Sequence, residues 1–201
     1  RTTVPAGDAA MLDVAAVHDF GFVFLDGKEI SVMDRRNNSF KVKLPAREKT
    51  ATLDILVEAM GRVNFGEEVH DRKGIVGAVK LGDAELTDWK AFNLPLDNKM
   101  LGHLRFQKTK STGPAFWRAT VKIENPGDTF LDLRSWGKGV VWVNGHCLGR
   151  YWDIGPTQTG YVPGPWLKRG KNEIVILDLL GPEKPVIAGL PQPILNELHP
   201  E

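Results

Sequence analysis

The sequence predicts an all-β protein built from two antiparallel β-sandwich modules of jelly-roll type in tandem. Three observations lead to this prediction. The chain repeats its own pattern about 120 residues later. Apolar residues alternate with a period of two in several segments, whereas helical periodicity is almost absent. The 21 glycines and 13 prolines are spread along the chain as turn residues and are not concentrated in one linker.

The internal repeat preserves both the order and the spacing of its elements. The matching pairs are, in chain order, RTTV (1–4) and RATV (118–121), Gly-Asp (7–8 and 127–128), Leu-Asp (12–13 and 131–132), FGFVFLDG (20–27) and KGVVWVNG (138–145), and LDILVEAMG (53–61) and NEIVILDLLG (172–181). Each match is weak by itself. Their common order and near-constant offset indicate a duplicated module.

Each copy contains one strong hairpin signal. Asp26-Gly27 and Asn144-Gly145 stand between apolar runs, and both central positions of a type I′ turn require a positive φ angle. In the run at 140–143, Val141 and Val143 alternate with equally apolar neighbours. We therefore expect strands with two packed faces, as in a sandwich.

The repeat also predicts the domain limits. Residues 1–98 form the first jelly-roll domain, and residues 99–201 form the second jelly-roll domain with a C-terminal tail. The second copy is preceded by an approach segment at 101–117, but the first copy has no counterpart before Arg1. We therefore expect the first domain to lack one or more N-terminal strands.

Composition excludes several classes of partner and site. Lys and Arg (26) balance Asp and Glu (25), which argues against nucleic acid or an anionic membrane as partner. No apolar run is long enough to cross a bilayer. The five histidines show no metal-binding spacing, and the single cysteine, Cys147, has no partner in the chain. We expect no metal or cofactor, and we expect Cys147 to be a buried, inert thiol.

No catalytic residues emerge from the sequence. A glycosidase needs two carboxylates that flank the scissile bond, about 5–9 Å apart. The densest acidic cluster is Glu67, Glu68 and Asp71, but adjacent residues of an extended chain point to opposite faces. Interleaved Arg72 and Lys73 favour a solvated loop instead.

The segment 149–167 has the composition of a carbohydrate-binding surface. Aromatic rings can stack on the apolar face of a galactose-like sugar while polar side chains bond its hydroxyl groups. The candidate sugar-binding residues are Arg150, Tyr151, Trp152, Asp153, Gln158, Tyr161 and Trp166. The alternative is that these rings fill the sandwich core and brace the proline-rich crossover, a common role for Trp and Tyr.

Two long stretches resemble one enzyme family. The segment WGKGVVWVNGHCLGRYWDIGPTQTGYVPGPWLKRGKNEIVILDL (136–179) closely resembles the C-terminal β-domain of family-35 glycoside hydrolases, the β-galactosidases. The segments LDILVEAMGRVNFGEEVHDRKGIVGAVKL (53–81) and LTDWKAFNLPL (86–96) resemble the preceding β-domain of the same enzymes. In that family the catalytic glutamates lie in an N-terminal TIM barrel, so no catalytic residue is carried over to this chain.

The resemblance implies a galactose-binding-like jelly-roll fold, which we assign to residues 99–201. It also implies a non-catalytic accessory region of a β-galactosidase, which packs against the parent's barrel and helps form its substrate entrance. It implies that the loop around Asn64 and Phe65 lies at the edge of that active site, with Phe65 where family members commonly have Tyr. Two alternatives stay open: a carbohydrate-binding module for galactosides, and a free-standing lectin-like protein. We expect an extracellular, periplasmic or lysosome-like compartment.

Overall fold

The computed structural model describes residues 1–108, 111 and 113–195. The chain divides into two compact units, Arg1–Asn93 (unit 1) and Leu94–Glu201 (unit 2). The domain limits expected from the sequence, 1–98 and 99–201, and the missing N-terminal strand stay predictions. The end of the expected C-terminal tail, residues 196–201, lies outside the described residues.

Unit 1 is a sandwich of two antiparallel sheets. Its strands are β1 (Thr2–Val4), β2 (Ala10–His18), β3 (Phe20–Leu25), β4 (Lys28–Asp34), β5 (Lys41–Leu44), β6 (Ala51–Glu58), β7 (Gly74–Leu81) and β8 (Ala84–Glu85). One sheet has the order β1-β6-β3-β4, and the other has the order β5-β2-β7-β8. Short 3₁₀ turns at Arg35–Asn37 and Glu67–His70 lie in the connections.

The described part of unit 2 contains one short helix and a second sandwich. Its elements are α1 (Asn98–His103), β9 (Ala115–Ile123), β10 (Thr129–Asp132), β11 (Lys138–Val143), β12 (His146–Trp152), β13 (Thr159–Val162), β14 (Gly170–Asp178) and β15 (Ala188–Leu190). The larger sheet has the order β12-β11-β14-β9, and the smaller has the order β13-β10-β15. A 3₁₀ turn at Gly164–Trp166 precedes β14.

One sheet of each unit has the same strand order. Read from the other edge, the larger sheet of unit 2 runs β9-β14-β11-β12, which matches β1-β6-β3-β4 strand for strand. The β3–β4 and β11–β12 ladders also shift register at the same place, between Val23 and Phe24 in one unit and between Val141 and Trp142 in the other. The predicted all-β fold of tandem sandwiches is confirmed.

The two hairpins have the turn geometry that their sequences require. Asp26 and Gly27 have φ angles of 48° and 78°, and Asn144 and Gly145 have φ angles of 48° and 82°. Both positions of each pair therefore lie in the left-handed region that Asn, Asp and Gly tolerate best. The turns join β3 to β4 and β11 to β12 and so set the register of both hairpins.

Each sandwich has its own apolar core. In unit 1 the core includes Val4, Leu12, Leu44 and Leu53, all fully buried. In unit 2 it includes Leu131, Trp136, Val141, Tyr151 and Ile176. The Trp136 indole is held by a hydrogen bond from Nε1 to the Val186 carbonyl, at 2.8 Å, and by an edge contact with Trp117, with ring centroids 5.9 Å apart.

Two local features differ from the sequence-based expectation. Helix α1 spans the expected domain limit between residues 98 and 99, where the sequence predicts no helix, and the Asp97 carboxylate caps it by accepting from the Met100 amide at 2.8 Å. Cys147 is exposed rather than buried, opposite Trp142 in the irregular part of the β11–β12 ladder. Within the described residues, no helix has the length and apolar character needed to cross a membrane.

Candidate functional site

The seven predicted sugar-binding residues lie along one side of unit 2. Strand β12 carries Arg150, Tyr151 and Trp152, Asp153 follows it, Gln158 and Tyr161 lie at β13, and Trp166 ends the 3₁₀ turn. Strands β12 and β13 are edge strands of the two sheets and contact each other. The structure therefore brings these segments to one edge of the sandwich, although their side chains have different surroundings.

Tyr151 and its partner Asp178 belong to the core. The Tyr151 hydroxyl lies 2.7 Å from Asp178 Oδ2, to which it donates, and 3.0 Å from the Leu177 carbonyl oxygen. Asp178 also accepts hydrogen bonds from three backbone amides, those of Gly137, Leu180 and Gly181. Burial, together with the Asp178 carboxylate, raises the pKa of Tyr151 far above its ordinary value. In this arrangement the hydroxyl is engaged inside the sandwich.

Gln158 is also buried, but its side-chain amide, unlike the Tyr151 hydroxyl, makes no hydrogen bond to the described residues. Its backbone amide donates to the Ile194 carbonyl and its carbonyl accepts from Leu133. Its side-chain Nε2 and Oε1 atoms have no hydrogen-bond partner among the described residues. A buried amide without hydrogen-bond partners costs free energy. A hydrogen-bonding group placed beside the Gln158 amide would therefore be stabilised.

The three remaining aromatic rings each pack against a different group. Trp152 lies over the buried ammonium of Lys138, at 4.8 Å from Nζ to the ring centroid. Tyr161 is 48% exposed and packs against Phe130 at 5.5 Å. Trp166 is stacked on His146, with centroids 4.7 Å apart. These contacts orient the three rings independently of one another.

Polar contacts further fix two of these residues. A hydrogen bond with Asp128 raises the pKa of the Tyr161 hydroxyl. The Trp166 carbonyl accepts from the Asn144 side-chain amide at 2.7 Å, and Asn144 itself belongs to the β11–β12 turn. Arg150 is exposed and Asp153 is half-buried. The sugar-binding role of all seven residues stays a prediction.

Asn64 and Phe65 lie in unit 1, on the loop of residues 59–73 between β6 and β7. Both are exposed, and Phe65 reaches 89% exposure, far above the usual value for a phenylalanine. Met60 and Val69, on the same loop, are also partly exposed. The loop therefore presents apolar side chains to its surroundings.

The base of this loop is closed by a charge cluster of Asp19, Arg35, Asp71 and Lys73. Asp19 accepts from the Met60 amide at 3.0 Å and from Lys73 Nζ at 2.8 Å, so one carboxylate joins both ends of the loop. Arg35 Nη1 donates to both Asp19 and Asp71. Lys73 Nζ also lies 3.1 Å from Asp71. Two carboxylates and two cations thus hold the loop ends together.

The sequence-based interpretation of a solvated loop is wrong for Asp71. Its side chain is only 2% exposed, and its second oxygen lies 2.9 Å from His18 Nδ1. Hydrogen bonding by Arg35 lowers the pKa of Asp71 to about 2. Burial raises the pKa of Asp19, but hydrogen bonds from Lys73 and Arg35 outweigh it, so the net shift is downward. Glu67 and Glu68 are exposed as expected.

The cluster makes the loop sensitive to acid. Because folding lowers the pKa of Asp19 and Asp71, their stabilising contribution is complete above the ordinary carboxyl pKa of about 4 and is lost as the pH falls through the lowered values. For Asp71 the lowered pKa is about 2. We expect the amide resonance of Met60, which donates to Asp19, to shift with a midpoint below the ordinary carboxyl pKa of about 4. An NMR titration from pH 6 to 2 measures this, and a midpoint at or above pH 4 would contradict the ionised cluster.

In the described residues, neither unit has a group of side chains that could hold a metal ion, and the charge cluster lacks a general acid. No group of three or more His, Cys, Asp or Glu side chains there is arranged to hold a metal ion. A retaining or inverting glycosidase needs one carboxyl group with a raised pKa as general acid. In the charge cluster, both carboxyl groups are shifted the other way.

Comparison with known proteins relates both units to one group of enzymes. The family model described as "Beta-galactosidase, first all-beta domain" matches residues 1–95, and the model described as "Beta-galactosidase, galactose-binding domain" matches residues 114–172. Human beta-galactosidase-1-like protein 2 is 40% identical over 169 residues, which are 81% of this chain and 26% of that protein.

Two further relatives agree with this match. The beta-galactosidase of Xanthomonas manihotis is 40% identical over 166 residues, covering 81% of this chain and 27% of the enzyme. The beta-galactosidase of the dog, Canis lupus familiaris, is 36% identical over 230 residues, covering 98% of this chain and 34% of the enzyme. The chain therefore spans about a quarter to a third of the length of these relatives.

Proposed function

The chain belongs to the β-galactosidase family, and we propose that it serves a longer β-galactosidase as a non-catalytic accessory region that supports the catalytic TIM barrel and shapes its substrate entrance. Its two units correspond to two β-domains of that family. The relatives are three to four times longer than the matched region, which leaves ample length for a catalytic domain.

The non-catalytic role is supported by the state of the buried acids. Asp19 and Asp71 share the cations Arg35 and Lys73, which keep both carboxyl groups ionised at neutral pH. Asp178 is enclosed by one hydroxyl and three backbone donors. Each of these three carboxylates therefore already has a structural partner, and a pair with one protonated acid is not available among them.

The observation that carries the entrance role is the exposed Phe65 on a loop with a fixed base. A phenylalanine that is 89% exposed gains free energy when a partner surface covers it. The charge cluster holds the loop ends through Met60, Asp71 and Lys73, which reduces the conformational entropy lost on docking. The family resemblance implies that the partner surface of Phe65 is the edge of the active site in the catalytic barrel.

Two assays test the accessory role. The 201-residue chain alone is expected not to hydrolyse nitrophenyl β-galactoside above the buffer rate. Deleting the same residues from a full-length β-galactosidase that carries them is expected to lower the melting temperature of the remainder and its kcat/KM. Turnover by the isolated chain, or a deletion that changes neither quantity, would contradict the proposal.

A second candidate is a galactoside-binding module, and two features of unit 2 favour it. The matched family model is described as galactose-binding. The buried Gln158 amide lacks partners among the described residues, and a sugar hydroxyl could supply them. The exposed Tyr161 ring, fixed by Phe130 and Asp128, offers a stacking surface on the same strand.

Titration of the chain with galactose and methyl β-galactoside, followed by NMR, separates the two candidates. A binding module predicts saturable shifts near β12 and β13, at millimolar affinity or better, about −4 kcal/mol. Tyr161→Ala and Gln158→Leu should then weaken binding, whereas Phe65→Ala should not. If no saturable shift is observed, the accessory role is the one candidate that remains.

A further inference from the structure

Unit 2 contains a cavity that is separate from the candidate sugar-binding residues and has no role in the functions proposed above. It has a volume of about 420 Å³ and opens between the two sheets of the sandwich. Its deeper wall is formed by buried residues of four strands, Leu131, Val143, Val162 and Ile174. A cavity of about 150 Å³ is enough for benzene, and small-molecule sites span about 300–1,000 Å³. This cavity is therefore large enough for a small ligand.

The lining is chemically wrong for a sugar. Among the described residues that line it, no aromatic ring is present, so the cavity has no stacking platform. The amide of Asn172, the buried polar residue of the wall, is already saturated: its oxygen accepts from Asn144 and Lys168, and its nitrogen donates to Lys168 and Gly170. The interior therefore presents aliphatic carbon.

The mouth is polar but almost uncharged. It is formed by exposed residues of the β9–β10 connection and of β15, including Asn125, Asp128 and Ala188. Asp128 is the one charged residue among the described lining residues, and its Oδ1 accepts from the Gly164 amide at 2.8 Å. The Thr129 hydroxyl donates to the Leu190 carbonyl. A carboxylate here disfavours an anionic head group.

We propose that this cavity binds the aliphatic chain of a neutral amphiphile, with the chain between the sheets and the head group at the mouth. The inference rests on the volume, the aliphatic wall and the saturated polar groups, and it is independent of the accessory role. Recognition comes from burial of methylene groups, so the chain length, and not the identity of the head group, determines affinity.

The test is an NMR titration of the whole chain with hexyl, heptyl and octyl β-glucoside, each below its micelle concentration. We expect saturable shifts at the cavity residues of β9, β10 and β15, and a Kd that falls about fourfold with each added methylene. Octyl β-galactoside should bind like octyl β-glucoside, and free galactose should not compete. A Kd independent of chain length, or binding at least tenfold tighter with the galactosyl head, would overturn the proposal.

Filling the cavity gives the matched control. Ile123 lines it, whereas the neighbouring Lys122 points to the opposite face of β9 and is exposed. Ile123→Trp is expected to weaken octyl β-glucoside binding at least tenfold, and Lys122→Trp is expected to leave it unchanged. If Ile123→Trp does not fold, Ala188→Phe at the exposed mouth provides the same block. Equal affinity in wild type and a folded blocked variant would also overturn the proposal.

Discussion

Trp136→Ala is expected to lower the free energy of unfolding of unit 2 by about 4 kcal/mol. Trp136 is 4% exposed and packs in the core against Trp117. The substitution removes the indole, leaves a cavity that the sandwich can only partly close, and removes the shorter of the two hydrogen bonds to the Val186 carbonyl. Native-state hydrogen exchange of the β11 and β14 amides measures the loss for this unit by itself.

The control is Trp136→Phe, which keeps most of the buried ring and removes the hydrogen bond to Val186. It should cost about 1–2 kcal/mol, clearly less than the alanine variant. Exchange in unit 1 should not change in either variant. A loss below about 1 kcal/mol for Trp136→Ala would contradict the position of this indole in the core.

Asp178→Ala should destabilise unit 2 by a similar amount, about 4 kcal/mol. Asp178 is fully buried, and its carboxylate accepts from the Tyr151 hydroxyl and from the amides of Gly137, Leu180 and Gly181. The alanine variant leaves the three amides without this acceptor, whereas the Tyr151 hydroxyl can still donate to the Leu177 carbonyl. A buried donor that loses its acceptor costs about 1–3 kcal/mol, and partly buried donors cost less. Hydrogen exchange at Gly137 and Gly181 should report the change directly.

Tyr151→Phe provides the comparison, because it removes one donor and leaves the carboxylate bonded to the three amides. We expect a loss of about 1 kcal/mol. If Tyr151→Phe is as destabilising as Asp178→Ala, the hydrogen bonds from the three amides to Asp178 contribute nothing to the stability of unit 2, which contradicts this prediction.

The fold could be predicted because its determinants are local and repeated. The Asp26-Gly27 and Asn144-Gly145 pairs specify tight turns through their own φ angles. The alternation in the flanking runs then gives strands, and the repeat predicts that both modules share one plan. Their identical strand order, β1-β6-β3-β4 and β9-β14-β11-β12, follows that prediction.

The charge cluster could not be predicted, because its members are far apart in the chain. Asp71 reads as one acid in a polar loop, whereas the partner that matters most, Arg35, lies 36 residues earlier. Asp19 and Lys73 are 54 residues apart. No local pattern signals such contacts. Only the pairing of β2 with β7 brings His18 and its neighbours beside the loop.

The candidate sugar site was predictable as a segment but not residue by residue. Strands β12 and β13 do bring the segment 150–166 to one edge of the sandwich. Composition alone could not separate Tyr151, whose hydroxyl faces Asp178 in the core, from Tyr161, which is about half exposed. The distinction depends on Asp178, 27 residues after Tyr151.

The entrance role of the Phe65 loop is tested most directly by comparing kcat/KM of a full-length β-galactosidase that carries this region with kcat/KM of its Phe65→Ala variant. If the loop tip docks at the substrate entrance, Phe65→Ala should lower kcat/KM about tenfold, equivalent to about 1.4 kcal/mol. Met11 is an exposed apolar residue on β2 of the same unit, and Met11→Ala should leave kcat/KM unchanged. Equal kcat/KM for wild type and Phe65→Ala would contradict the entrance role of this loop.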